Sequence, residues 1–396
     1  MRSLRTAALL LAIALVAGAC TTDTTETTPA TTVTTAAPAT AATTAAPATT
    51  AAPEGTSLVG ICPDPLIVQT DWFPQPEHAY TYNLIGTEGV VDAENGTYTG
   101  PLGDTGITMQ VRAGGPYIGF SPPTSQFYAD NEIFMAYVDT GTAIRDSESL
   151  PVVAVFAFWE KSPQILMWDP AVYSFDSFDD IGASGAPVLY FEGSAFMDFL
   201  IGRGLLSADQ VDASYDGGPS RFVTESVVQQ GFATNEVYRY ENDIAEWKKP
   251  VDSLLIHDAG FEIYEGTLSV KPQSLTDRRE CLEALVPLVQ QSAVEYMNNP
   301  EPMNVRLDEI VKELDSFWTS SIGLHNAATE VMIDRGLVSD GPDGFIGAMD
   351  PDRINSLIDV WVPVLADLGI ESFKEGVRAA DISTNEFLDP SIALGF

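Results

Sequence analysis

Gln69-Thr70-Asp71-Trp72-Phe73-Pro74-Gln75-Pro76-Glu77-His78 is the stretch on which the fold of this chain turns. It grows out of Leu66-Ile67-Val68-Gln69-Thr70, a short apolar run flanked by prolines that reads as a buried strand. Trp72 therefore falls at a strand's carboxyl end, the prolines make a turn, and His78 opens a helix. Ligands of open α/β sheets bind at the carboxyl ends of strands, so Trp72 is well placed to stack on a planar ligand. Burial in a core is the alternative for Trp72. His78 could donate to a ligand oxygen or ring nitrogen, or serve only as a surface or capping residue.

Outward from this stretch, strand-like and helix-like segments alternate. Ile107 to Val111, Val152 to Trp159, Gln164 to Trp168, Val188 to Phe191, Ser253 to His257 and Thr267 to Val270 read as strands, and Ala195 to Ile201 as a helix. Beyond Pro272 the pattern turns helical. Ser274 is expected to cap a helix carrying Leu282, Leu285, Val286, Val289, Ala293, Tyr296 and Met297 at helical spacing, with a kink or break at Pro287. Met303 to Leu314 and Ile354 to Leu365 mark two more helices, the latter stopping near Gly369. The order implies an α/β protein with mostly parallel sheets and a helical C-terminal part. No internal repeat is seen; Val228-Gln229-Gln230 and Val289-Gln290-Gln291 match only by chance.

The chain has 396 residues, 45% of them apolar, which is enough to bury a large core and suggests two domains or lobes. Lys and Arg number 19 against 56 Asp and Glu, a formal charge of −37. That balance excludes nucleic acid and a polybasic hold on anionic lipid. Arg2 and Arg5, the apolar run Ala7 to Val16 and the small residues Ala17-Gly18-Ala19 form a secretory signal over 1–19. Cys20 directly after it resembles the lipidated cysteine of a bacterial lipoprotein, with ordinary cleavage as the alternative. Loss of two arginines and no acid with that segment takes the charge to −39. Residues 20–56, almost wholly Thr, Ala and Pro, cannot offset the entropy of ordering and are expected to form a disordered stalk. The expected place is the outer face of the cell membrane. Cys62 and Cys281 are either a disulfide or two buried thiols.

The strand ending in Trp72, its proline turn and His78 resemble the solute-binding proteins of ABC importers. The group most resembled handles thiamine-pyrimidine precursors, nitrate and sulfonates. Phe134 to Thr140, Glu192-Gly193-Ser194 and Gly231 to Glu236 are similar to further parts of that family, so that the likeness spans roughly residues 64–370. It implies a two-lobed periplasmic-binding-protein-like fold of type II, with two crossing hinge strands. The division expected is 57–169 and 263–396 for the first lobe and 170–262 for the second, with crossings near Trp168 and Phe261 to Tyr264. It also implies a monomer that hands a small molecule to a permease and its ATPase.

On this reading the ligand-binding candidates are Trp72, His78, Asp139, Thr140, Glu192, Gly193, Ser194, Thr234, Asn235 and Glu236. Gly193 would let the backbone approach a ligand and the helix start after it would offer free N–H groups, simple capping by Ser194 being the alternative. Thr234-Asn235-Glu236 and Asp139-Thr140 suit directional hydrogen bonds in a cleft, or are ordinary polar loops. Carboxylates and a Trp with few basic residues favour a planar, neutral or cationic nitrogen heterocycle over nitrate or a sulfonate. Nothing in the chain matches a nucleophile elbow, a phosphate loop or a zinc-type His-Glu pattern, and no cofactor or metal is expected. A binder is expected, an extracytoplasmic hydrolase being the alternative of a different class.

Overall fold

The computed structural model describes residues 55–396, so the signal, Cys20 and all but the end of the stalk expected over 20–56 lie outside the described residues. The described strands are β1 (Leu66–Gln69), β2 (Val90–Asp92), β3 (Thr97–Pro101), β4 (Thr108–Arg112), β5 (Ile133–Val138) and β6 (Val153–Phe156), then β7 (Gln164–Trp168), β8 (Val188–Leu189), β9 (Val211–Asp212), β10 (Val228–Phe232), β11 (Asp252–Leu255) and β12 (Thr267–Val270). They form two sheets, one ordered β2-β3-β4-β1-β5-β12-β6 and the other β11-β7-β10-β8-β9. β1 sits in the middle of the first, parallel to β4 and β5, with Val68 opposite Val111 and Met135. Its four residues are all buried, and successive side chains join apolar clusters on opposite faces: Leu66 and Val68 one, Ile67 the other.

The sheets are mixed, not mostly parallel. β12 runs antiparallel to both its neighbours, as β7 does to β10 and β11, and β2-β3-β4 is an antiparallel meander. A buried apolar run does not record its direction; the connection sets it, and of these pairs only β2-β3-β4 is joined by short connections that force antiparallel pairing. Gln164–Trp168 pairs with β10 and β11 within the second sheet. The chain leaves the first sheet after β6 and returns through 256–266 to β12, which inserts between β5 and β6.

Helices differ from expectation in two places. Ser274 starts a one-turn helix, Ser274–Asp277, and the long helix follows as Arg279–Asn298, so Ser274 does not cap it. That long helix runs continuously through Pro287. An interior proline costs roughly 3 kcal/mol, whereas each large apolar side chain buried along its face contributes about 1.5–3 kcal/mol. Leu282, Leu285, Val286, Val289 and Met297 outweigh the lost hydrogen bond. Helix Pro351–Asp367 starts on an Asp350 cap, and packs Trp361, fully buried, near Phe199 and Phe261.

Arg353, in the first turn of that helix, joins the two crossing segments. Its guanidinium donates to the carbonyls of Glu160 (2.7 Å), Glu262 (2.8 Å) and Ile263 (2.8 Å) and lies 3.9 Å from the centre of the Tyr264 ring. Ser162 adds a second tie by donating to Glu265 at 2.8 Å.

Cys62 and Cys281 are joined in a disulfide across 219 positions, which pins the entry of the domain to the long helix. Replacing both by serine should lower the unfolding free energy by about 2–4 kcal/mol and leave the secondary structure unchanged. Urea titration followed by circular dichroism checks this; an unmoved midpoint would show that the bridge adds nothing.

Candidate functional site

The opening stretch is locked in place by its own polar side chains. Gln69 donates from its amide to the carbonyls of Thr70, Arg112 and Ala113, and the Thr70 hydroxyl donates to the carbonyl of Trp72 at 2.8 Å. Gly114 and Gly115 return their N–H groups to the carbonyls of Trp72 and Asp71. A Cβ on Gly114 would stand 2.2 Å from the Asp71 carbonyl carbon, so only glycine admits this approach. Beyond the turn, His78 is buried between two acceptors: Nε2 lies 2.7 Å from Asp71 Oδ1 and Nδ1 lies 3.2 Å from the Phe73 carbonyl. Both nitrogens must donate, which makes the ring an imidazolium. Burial works against that charge, but the Asp71 carboxylate outweighs it and holds the His78 pKa above its ordinary value.

Asp71, Trp72, Glu77 and His78 line a cavity of about 300 Å³. β10 and the turn after it supply Gln230, Gly231, Phe232, Asn235 and Glu236 from the second sheet. The returning crossing adds Glu265, and Gln164, at the start of β7, lines it too. The wall is strongly aromatic, with Tyr137, Trp159, Phe191, Tyr215 and Trp318 beside Trp72. Trp72 and Trp318 meet edge to face with centroids 5.6 Å apart.

Each carboxylate in the wall holds one hydrogen bond. Thr234 donates to Glu77 at 2.5 Å, the Phe232 N–H donates to Glu236 at 2.7 Å, and Ser162 donates to Glu265. Gly231 leaves the space that Glu236 occupies, since a Cβ there would lie 2.9 Å from the Glu236 side chain. Burial pushes all three acids above the usual carboxylate range, and Glu265, also facing the charge of Asp139, rises to about 8.

The structure thus gathers four of the sequence candidates, Trp72, His78, Asn235 and Glu236, at one cavity. Thr234 is buried behind the wall with its hydroxyl given to Glu77. Asp139 and Thr140 are absent from the lining and do other work. Asp139 caps the helix Thr140–Arg145 by accepting from the Thr142 N–H, and Thr140 exchanges hydrogen bonds with the Tyr264 backbone, pinning the returning crossing. Glu192 and Gly193 form an exposed turn beside Phe191, whose ring lines the cavity in their stead. Ser194 does not cap the following helix; its hydroxyl donates back to the Phe191 carbonyl at 2.7 Å. Asp71 and Glu77 were within the decisive stretch, flanking its Trp and His. Tyr137, Trp159, Glu265 and Trp318 carry no local signal.

No family model matches the chain, and no curated protein does. Among solved structures, a protein from Bordetella bronchiseptica RB50 superposes with a TM-score of 0.51 at 11% identity, covering 82% of this chain and 96% of that one. An ABC transporter protein from Parabacteroides distasonis gives 0.49 at 9% identity, covering 81% and 99%. The periplasmic aliphatic sulphonate binding protein of Escherichia coli gives 0.41 at 11%, covering 70% and 89%. Of these three the Bordetella protein alone exceeds 0.5, and the likeness is one of fold. Two α/β sheets joined by two crossing segments are the architecture this chain shares with the Bordetella protein.

The imidazolium at His78 can be checked directly. With its pKa raised in the folded state, the His78–Asp71 pair stabilises the fold fully below the ordinary histidine value, and that contribution is lost as pH rises through the raised one. In Asp71→Asn, burial prevails and the His78 pKa should fall below 6.5, seen by NMR titration of the ring protons. A pKa that stays raised in the variant would refute the pairing.

Proposed function

We propose that this chain is the extracytoplasmic solute-binding component of an ABC importer. It captures a small, planar, nitrogen-containing solute of the thiamine-pyrimidine kind and presents it to a permease and its ATPase. The observation that carries this is a single cavity whose walls come from both sheets, with Trp72 offered by the loop after β1 and Glu236 by the start of the helix Glu236–Asn242 that follows β10. Trp72 supplies a stacking face and Glu236 an acceptor for an amino group. His78 is held on both nitrogens by Asp71 and Phe73, which suits a rigid wall and leaves this histidine no free nitrogen to act as a base, and we read the protein as a binder and not a hydrolase.

In the same reading the second sheet and its helices form the mobile lobe, with 157–163 and 256–266 as the hinges. That moves the first crossing to the near side of Gln164. Cys20 bears the lipid, residues 20–56 are the stalk, and the receptor acts as a monomer at the outer face of the membrane. The anion alternative, nitrate or a sulfonate, has the chemistry of the wall against it, because no Lys or Arg lines the cavity.

Mass spectrometry of whatever co-purifies should identify the solute. Trp72→Ala and Glu236→Gln should each weaken its binding by at least about 2 kcal/mol, near thirtyfold, in calorimetric titration. Saturating solute should also shrink the radius of gyration in X-ray scattering of the wild type. Unchanged affinity in both variants together with an unchanged scattering profile would sink the proposal.

A further inference from the structure

The cavity wall is out of electrostatic balance. The Asp71 carboxylate is matched by the His78 imidazolium at 2.7 Å, and Glu77, Glu236 and Glu265 are left with hydrogen-bond donors but no cation paired to them in the wall. Arg239, one turn beyond Glu236, lies with its guanidinium 5.3 Å from the Trp318 ring centre and does not line the cavity; its charge reaches Glu236 but is outweighed by the burial of that acid. Buried carboxylates without a counter-charge either hold protons or await a cation. The raised pKa values of all three fit that imbalance.

A second observation is independent of the acids. Asn235 is 8% exposed, and its Oδ1 has no hydrogen-bond partner; Gln164 Oε1, also buried and also at the cavity, has none either. A buried orphan oxygen costs about 1–3 kcal/mol, and what satisfies it is a donor. Among the described residues no three acidic, histidine or cysteine side chains converge as metal ligands. The aromatic wall offers ring faces, which attract organic cations and do not replace the oxygen shell of a hard metal ion.

Resting on the cavity being the solute site, we infer that its occupant is a small organic cation, a protonated amine or amidinium on an apolar, flat body. The positive charge sits among Glu77, Glu236 and Glu265, its N–H groups reach Asn235 and Gln164, and its body packs against Trp72 and Trp318.

Three probes of one shape separate the charge from the shape: benzamidine (cation), benzamide (neutral) and benzoate (anion), each titrated against wild-type protein by quenching of tryptophan fluorescence. Benzamidine should bind at least about tenfold tighter than benzamide, and benzoate weakest of all. Glu236→Gln should bring benzamidine and benzamide towards equal affinity, and Glu265→Gln serves the same purpose if the first variant does not fold. Benzamide or benzoate binding as tightly as benzamidine overturns the inference while leaving a receptor for an uncharged or anionic solute standing. Quenching by none of the three also overturns it. The importer reading stands or falls separately, on the co-purified solute and its compaction of the protein.

Discussion

One guanidinium group holds the two halves of this molecule in register. Arg353 takes backbone carbonyls from both crossing segments and covers the Tyr264 ring, so two peptide strands that share no ladder of their own are fixed side by side. A planar fork with five donors can do this where a lysine could not. The cavity depends on it, because Glu265 follows Tyr264 by one residue and Gln164 follows the other crossing. Movement of either segment would carry an acidic or an amide group of the wall with it.

The polar chemistry of the wall runs against stability. A core built for folding would give each buried carboxylate a cation or replace it with an apolar residue, since desolvated charge is costly and apolar packing is not. Here three buried acids and two orphan amide oxygens, of Asn235 and Gln164, face one cavity. Local rules broken together in one cavity are what a binding site looks like, because the missing partners are supplied by something other than the chain.

What was legible in the residues is what is local. Gln69 to His78 carries a strand, a turn and a helix start within ten positions, and Gln69, Thr70, Asp71 and His78 bond to neighbours in the sequence or to the adjoining strand, whereas Glu77 takes its partner, Thr234, from far along the chain. The helical face from Leu282 to Met297 was plain for the same reason, since its period is built into the covalent spacing. Strand direction was not legible, because Thr267–Val270 looks the same whichever way it enters a sheet. Neither was the far side of the cavity: Glu265 and Trp318 arrive from nearly two hundred residues or more away, in segments whose composition marks nothing. Asp139 and Thr140 show the ambiguity of a short polar motif. A polar pair after a strand suits a ligand and suits a helix cap equally, and only the position of Tyr264 decides between them.

The bridge between Cys62 and Cys281 has a mechanical consequence. β1 begins four residues after Cys62 and leads straight into the loop that forms one wall of the cavity. Tension applied to the chain upstream would otherwise pull on that strand first, end-on, and peel it from β4 and β5. With the covalent link in place, the force branches at Cys62 and passes into a twenty-residue helix buried along one face. The stretch from Pro63 to the cavity then carries only part of the load, so the binding wall is partly shielded from whatever tugs at the amino-terminal end.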